Sequence, residues 1–364
     1  MRILFTLSAA AALAAGASAQ QLDHNGNFVG GGPGASAPGA VLDTWTGPSS
    51  RGTGLAHNGD LLYMLDSYGG LPVVHHLRDS DGAVLGSTPI ANTTDYECAW
   101  DDKRELIVTT NASLDVLYGY TRTGVQMFAW PFPSTGYVGV AWDCRRDVYW
   151  VSDWTVSSVI AINAATGVPT GASYNTGAYG LSRISGTAYD SNTDTIYVCG
   201  RDQNMIAGFN AATGAMVCTF PVAEPNSNAV AGMTVAPRGS IYTAQYFNSN
   251  HYELEGCHGL RPQLRMTPNF PTAGSPITMT MAGLNAGERG LFAYSLTGCG
   301  PTPSPIGDVL LSNPRAVLAS VPANGAGVSS ISAVLPTVLA GRTVYLHGGG
   351  LSGSGRCNAA IMKP

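Results

Sequence analysis

The stretch GYVGVAWDCRRDVYWVSDWTVSSVIAINAATG, Gly136 to Gly167, reads as three short strands, Val138–Trp142, Asp147–Ser152 and Val159–Ala161. Alternating and continuous apolar runs rich in Val, Ile, Tyr and Trp carry the reading. A charged turn, Asp143–Arg146, joins the first two strands. Asn163-Ala164-Ala165-Thr166-Gly167 ends the third in a turn whose glycine takes positive φ without steric cost.

Imperfect copies flank this unit. Its inner-strand slot recurs as Gly54-Leu55-Ala56-His57, Glu97-Cys98-Ala99-Trp100, Gly139-Val140-Ala141-Trp142, Gly186-Thr187-Ala188-Tyr189 and Gly232-Met233-Thr234-Val235, at steps of 43, 42, 47 and 46 residues. The turn glycines Gly82, Gly124, Gly167 and Gly214 step by 42, 43 and 47, in phase with the first series. A period of this length with short strands predicts an all-β protein, a β-propeller of four-stranded blades packed around an axis. Five inner-strand copies argue for five blades. The alternative is six, with a degenerate blade built partly from residues 21–40. The last copy lacks a fourth strand of its own, and Val41–Trp45 is the candidate to supply it and close the ring.

Composition agrees with this class. Charged residues make up 11 % of the 364, below the roughly 25 % usual in soluble proteins, while Gly numbers 46 and Pro 22. The formal net charge of −5 comes without a basic stripe, which argues against nucleic acid as a partner. Residues 1–19 read as a signal peptide, with Arg2, an apolar run from Ile3 to Ala15 and an A-x-A site at Ala17-Ser18-Ala19. The expected location is therefore extracellular or periplasmic. No later run has the length of a membrane helix. Of the seven cysteines some should pair in that compartment, with Cys299–Cys357 preferred and Cys257 a rival for either.

Residues 20–40 are an irregular lead-in, 41–257 the propeller, and 258–364 a second domain. There the repeat disappears. Runs at Gln263–Met266, Ile277–Met281, Gly290–Ser295, Val309–Leu311, Ala316–Ser320, Ser329–Leu335 and Thr343–His347, separated by Gly, Pro and Asn turns, predict a small β-sandwich.

Gly139–Asp143, Asp147–Val151 and Asn163–Gly167 resemble the inner strand, second strand and turn of secreted propellers of the YVTN and NHL type. The resemblance covers about Gly54 to Gly256 and implies a fold, not an activity. The region from Gly256-Cys257-His258-Gly259 to Leu339–Tyr345 is similar to C-terminal modules of secreted bacterial proteins. What that implies is an accessory module.

Propeller ligands usually sit at one mouth of the axial channel. The loops entering the inner strands and those leaving the second strands provide the candidates: Asp95, Glu97, Tyr137, Asp153, Trp154, Arg183, Arg201, Asp202, Tyr246 and His251. Glu97 stands where four other copies have glycine. It reads either as a side chain reaching solvent at the rim, or as a carboxylate aimed into the channel, a metal ligand or general base. Asp95, two residues away and so on the same strand face, makes the pair a candidate site for a divalent cation such as Ca2+. Asp153 and Asp202 read as turn caps or ligand groups. Tyr137, Trp154 and Tyr246 read as inter-blade packing or as stacking platforms for a flat ligand.

No G-x-S-x-G elbow or C-x-x-C pair occurs. The sequence therefore favours a non-catalytic secreted module that binds a protein or a glycan. The alternative is a metal-dependent propeller enzyme, a lactonase, lyase or glycan hydrolase, built on Glu97 and Asp95, with Asp153 or His251 as further groups around a divalent cation.

Overall fold

The computed structural model describes residues 21–22, 28–29, 37–50, 52–59, 61–67, 72–92, 94–132, 136–222, 230–245, 249–268, 271–303, 309, 311–351 and 356–362. The segment read as a signal peptide lies outside them. Two short strands, β1 (Gln21–Leu22) and β2 (Phe28–Val29), pair with each other. β3 (Val41–Thr46) follows.

Turns of mostly four or five residues then fold the chain into successive antiparallel meanders. The first holds β4–β7 (Gly52–His57, Leu61–Asp66, Val73–Arg78, Val84–Pro89). The second holds β8–β11 (Asp95–Asp101, Leu106–Asn111, Val116–Thr121, Gln126–Pro131). The third holds β12–β15 (Tyr137–Asp143, Val148–Asp153, Ser158–Asn163, Pro169–Asn175). The fourth holds β16–β19 (Ile184–Asp190, Thr195–Gly200, Met205–Asn210, Met216–Pro221). The next sheet contains β20 (Val230–Val235), β21 (Ile241–Gln245) and β22 (Asn250–Leu254). Its fourth place is taken by β3, with Thr44 opposite Tyr252.

The first strands lie side by side in the order β4, β8, β12, β16, β20, and β20 returns to β4. Sheets arranged radially around an axis, with first strands innermost, define a β-propeller. Apolar faces of neighbouring sheets pack against each other. Val108 and Leu117 of the second sheet, for example, share a core with Val140, Tyr149 and Val151 of the third.

The repeated turn glycines have a second role besides their backbone. Gly167 has φ 73°, and a Cβ on it would lie 2.4 Å from Trp130 on the outer strand of the preceding sheet. Gly82 does the same to Trp45 on β3, at 2.1 Å. Gly214 seats Tyr174 in the same way (2.2 Å), whereas Gly124 faces the Pro89 carbonyl oxygen (2.2 Å), and only glycine leaves the room.

At the far ends of the inner strands, Trp-Asp-x-x-Arg becomes an inter-sheet clamp. The Tyr149 hydroxyl donates to Asp101 Oδ2 (2.6 Å), and Arg104 bridges Asp101 (2.9 Å) and Asp147 (2.8 Å). One repeat later Arg146 bridges Asp143 (2.8 Å) and Asp194 (2.6 Å). Burial pushes the Asp147 and Asp194 carboxyls up, but Arg104 with Lys103 and Arg146 with Tyr189 outweigh it, and both end below the ordinary carboxylate range.

The chain divides into two compact units between Gly259 and Leu260, with β1 and β2 counted in the second. That unit has a three-stranded sheet of β23 (Gln263–Thr267), β24 (Pro276–Ala282) and β27 (Ser329–Val334). A four-stranded sheet combines β25 (Arg289–Ser295), β26 (Arg315–Pro322), β28 (Val344–Gly350) and β29 (Arg356–Met362). Alternate residues of the two sheets, including Leu264, Met279, Met281, Phe292, Ile331 and Leu346, form one core. This is the β-sandwich.

Two details differ from the sequence reading. Of Val309–Leu311, Val309 makes an isolated bridge to Thr302, which Pro301 and Pro303 flank without a ladder donor, and Leu310 lies outside the described residues. The final strand, β29, was not expected, since its Arg-Cys-Asn-Ala-Ala run has no alternation.

The disulfide joins Cys218, on β19, to Cys257, just after β22. Cys299 is a free buried thiol, which overturns the Cys299–Cys357 and Cys257–Cys299 pairings.

Candidate functional site

All inner pairings share a β-bulge at their start, between Gly52 and Gly54, Asp95 and Glu97, Tyr137 and Gly139, Ile184 and Thr187, and Val230 and Gly232. A bulge re-aims the residues that follow it. In the second sheet it turns Glu97 to the axis while Asp95 stays with its own sheet. The simple two-residue alternation expected for this pair therefore fails, and the two carboxylates do not form one site.

Glu97 is fully buried, not at the rim. Its Oε1 accepts from the backbone N–H of Leu55 (2.8 Å) and Cys98 (3.1 Å), and its Oε2 from Met233 (3.0 Å). The Thr187 backbone also hydrogen-bonds to it. Burial pushes its pKa well up, opposed by these amides. Gly54 and Gly232 stand opposite: a Cβ on Gly54 would lie 2.8 Å from Glu97 Cα, and one on Gly232 would lie 2.8 Å from Oε1. The carboxylate fills the space that the glycines leave. Its lone pairs face amide donors, the groups a cation would have to displace.

Asp95 is buried, and accepts from the Thr109 hydroxyl (2.6 Å) and the Asn111 amide (2.8 Å). Burial outweighs these bonds and lifts its pKa to about 6. Asp153 caps its turn, accepting from the N–H groups of Thr155 (2.7 Å) and Val156 (3.0 Å). Tyr137 is buried against Phe132, with ring centroids 4.5 Å apart. His251 is buried and stacks on Trp45 of β3 at 5.5 Å. Burial drives its pKa down to about 4. These four are interior groups because each lies on a strand or turn residue that points between sheets. Tyr246 lies outside the described residues. Among the described residues, no three His, Cys, Asp or Glu side chains gather as a metal site.

Four candidates do converge at the surface. Trp154 follows β13, Arg183 precedes β16, and Arg201 and Asp202 follow β17. These loops belong to the same end of adjacent sheets because an antiparallel pair places the start of one strand beside the end of the next. The guanidinium carbons of Arg183 and Arg201 lie 5.6 and 5.1 Å from the centroid of the half-buried Trp154 indole. Both distances fit cation–π contact. Arg183 and Asp202 form a bidentate ion pair, with Nε to Oδ2 at 2.8 Å. This pair raises the Arg183 pKa and lowers that of Asp202. Ser182 donates to Asp202 (2.8 Å), and Gln203 donates to Ser182 (2.9 Å). These two polar residues were missed by the sequence reading, since Ser and Gln in a loop carry no distinguishing signal. Arg183 has φ 49°, outside the turn slots where the repeat places its other left-handed residues.

No protein-family model matches this chain, and no curated protein does. Among solved structures it is similar to a chain of a nidogen/laminin complex, with TM-score 0.40 and 14 % identity over 53 % of this chain and 71 % of that one. A virginiamycin B lyase from Staphylococcus aureus gives 0.38 and 13 % over 57 % and 67 %. A chain of a mitotic checkpoint complex gives 0.38 and 16 % over 55 %, and this chain spans 60 % of its length. At such identities and TM-scores the likeness carries no argument about what this chain does. No helix among the described residues is long and apolar enough to cross a membrane.

Proposed function

We propose that this is a secreted, non-catalytic binding protein that recognises a glycan or a protein on the loop face of its propeller. The observation that carries the reading is the half-buried Trp154 indole with the guanidinium groups of Arg183 and Arg201 within 5.6 Å of its ring. An amphipathic ring flanked by forked donors suits both sugar hydroxyls and peptide carbonyls, and Trp and Arg dominate binding hot spots. The left-handed backbone of Arg183 supports the same site, because a non-glycine residue held there costs roughly 1–2 kcal/mol and such costs cluster where ligands bind.

Binding is preferred over catalysis because the two carboxylates of the enzymatic alternative are committed elsewhere. Glu97 is held by backbone amides, and Asp95 by Thr109 and Asn111. The Cys218–Cys257 disulfide supports an oxidising compartment.

Material recovered after export, mapped by mass spectrometry for a start near Gln20, would be tested on a glycan array and by pull-down. Trp154→Ala and Arg201→Ala should each weaken binding by roughly tenfold or more. Turnover of a substrate without stable binding, or unchanged binding by Trp154→Ala, would overturn the proposal.

A further inference from the structure

The innermost strand of each sheet is a sheet edge, so its alternate N–H groups point at the axis with no ladder partner. Buried amides of this kind need acceptors. In the third sheet Gly139, the residue before the equivalent Val140, donates its N–H to Ser152 Oγ (3.0 Å). In the other four, Leu55, Cys98, Thr187 and Met233 all give their N–H groups to one carboxylate, that of Glu97. Each comes from a different sheet: β4, β8, β16 and β20. Donors converging from separate strands on one buried point make a concave anion-binding nest like those that hold phosphate or carboxylate ligands elsewhere.

We propose that the propeller axis is a carboxylate-binding site, occupied in this chain by its own Glu97. The other inner-strand slots are Gly54, Gly139, Gly186 and Gly232, so the axis holds one tethered anion in a ring of glycines. Removing that side chain leaves a vacancy of the size and polarity of propionate. A free short-chain monocarboxylate then takes its place, accepting from the same amides. The recognition is for a small, flat, singly charged oxyanion. The site is fully buried, which limits the ligand to that size.

The test compares thermal unfolding of wild type, Glu97→Gly and Glu97→Gln in propionate, acetate and chloride at equal ionic strength. Glu97→Gly should melt lower by roughly 5 °C or more, from the loss of buried charge-assisted hydrogen bonds. Propionate and acetate should restore part of that loss in a saturable way, and chloride should not. Wild type should not respond to carboxylate, because its nest is full. Glu97→Gln should melt lower than wild type and should not respond either, since its side chain still fills the slot. Should Glu97→Gly fail to accumulate folded, its refolding yield from urea in propionate against chloride gives the same reading. A Glu97→Gly protein as stable as wild type, or one helped equally by chloride and carboxylates, would overturn the proposal.

Discussion

Glu97 Oε2 lies 3.0 Å from the backbone nitrogen of Met233, a residue 136 positions further along the chain. The second and last sheets therefore meet through a side chain at the axis as well as through their place in the ring. The contact requires bare backbone opposite the carboxylate, and Gly232 provides it. A Cβ there would come within 2.2 Å of the Thr53 carbonyl oxygen and 2.8 Å of Glu97 Oε1. Neither the carbonyl nor the amide-bound carboxylate can retreat. Gly232→Ala should therefore cost about 3 kcal/mol, the upper end for overpacking. Urea unfolding would show it as a lower midpoint with an unchanged slope. An unchanged midpoint would mean that the axis is looser than these distances indicate.

The Trp-Asp-x-x-Arg clamp yields a second expectation. Tyr149→Phe removes the 2.6 Å bond to Asp101 and leaves Arg104 as the neighbouring donor. A hydrogen bond to a charged group contributes about 1.5–3 kcal/mol. The variant should lose stability in that range, and the loss should shrink when Asp101 is already Asn. A double-mutant cycle measures the coupling.

The repeat made the propeller legible because its landmarks report backbone geometry. Gly82, Gly167 and Gly214 must be glycine both for positive φ and for a neighbouring ring, and Gly124 for positive φ and a neighbouring carbonyl, so the period survives divergence elsewhere. Val41–Trp45 was legible as the closing strand because the last copy of the repeat had no fourth strand of its own, and β3 pairs there with β22. The candidate site was less readable. Loop residues such as Trp154 and Arg183 are brought together by sheets whose order is known but whose side-chain directions are not. The bulge between Asp95 and Glu97 is a one-residue irregularity with no compositional mark, and it sends the two carboxylates to different neighbours. Glu97 was visible as a deviation from glycine, whereas its amide partners depend on which N–H groups face the axis.

Two buried groups should tilt stability against pH in opposite directions. Asp95 has a folded pKa of about 6, above its unfolded value, so its contribution is full below about pH 4 and is lost as pH rises through 6. His251 has a folded pKa of about 4, below its unfolded value of 6.5, so its contribution is full above 6.5 and is lost as pH falls through 4. At 1.36 kcal/mol per unit each amounts to about 3 kcal/mol, and between pH 4 and 6 they largely cancel. Relative to wild type, Asp95→Asn should gain stability as pH rises across that window. His251→Phe, which keeps a ring against Trp45, should lose stability relative to wild type over the same rise in pH. Urea midpoints at several pH values would decide it, and parallel profiles for the two variants would contradict both assignments.

The Cys218–Cys257 bond ties the outer strand of the fourth sheet to the segment that follows β22, across 39 residues. A closed loop of that length restrains the unfolded chain by about 4 kcal/mol in the entropy treatment. Cys218→Ala with Cys257→Ala should therefore unfold at lower urea, and a reductant should lower the wild-type midpoint toward that of the double variant. The same reductant should leave the double variant unmoved, since Cys98, Cys144, Cys199 and Cys299 are already thiols. Alkylation of the unreduced, unfolded protein followed by mass spectrometry reads the pairing directly. Recovery of Cys218 and Cys257 as alkylated thiols in exported material would remove the bond, and with it the structural support for an oxidising compartment.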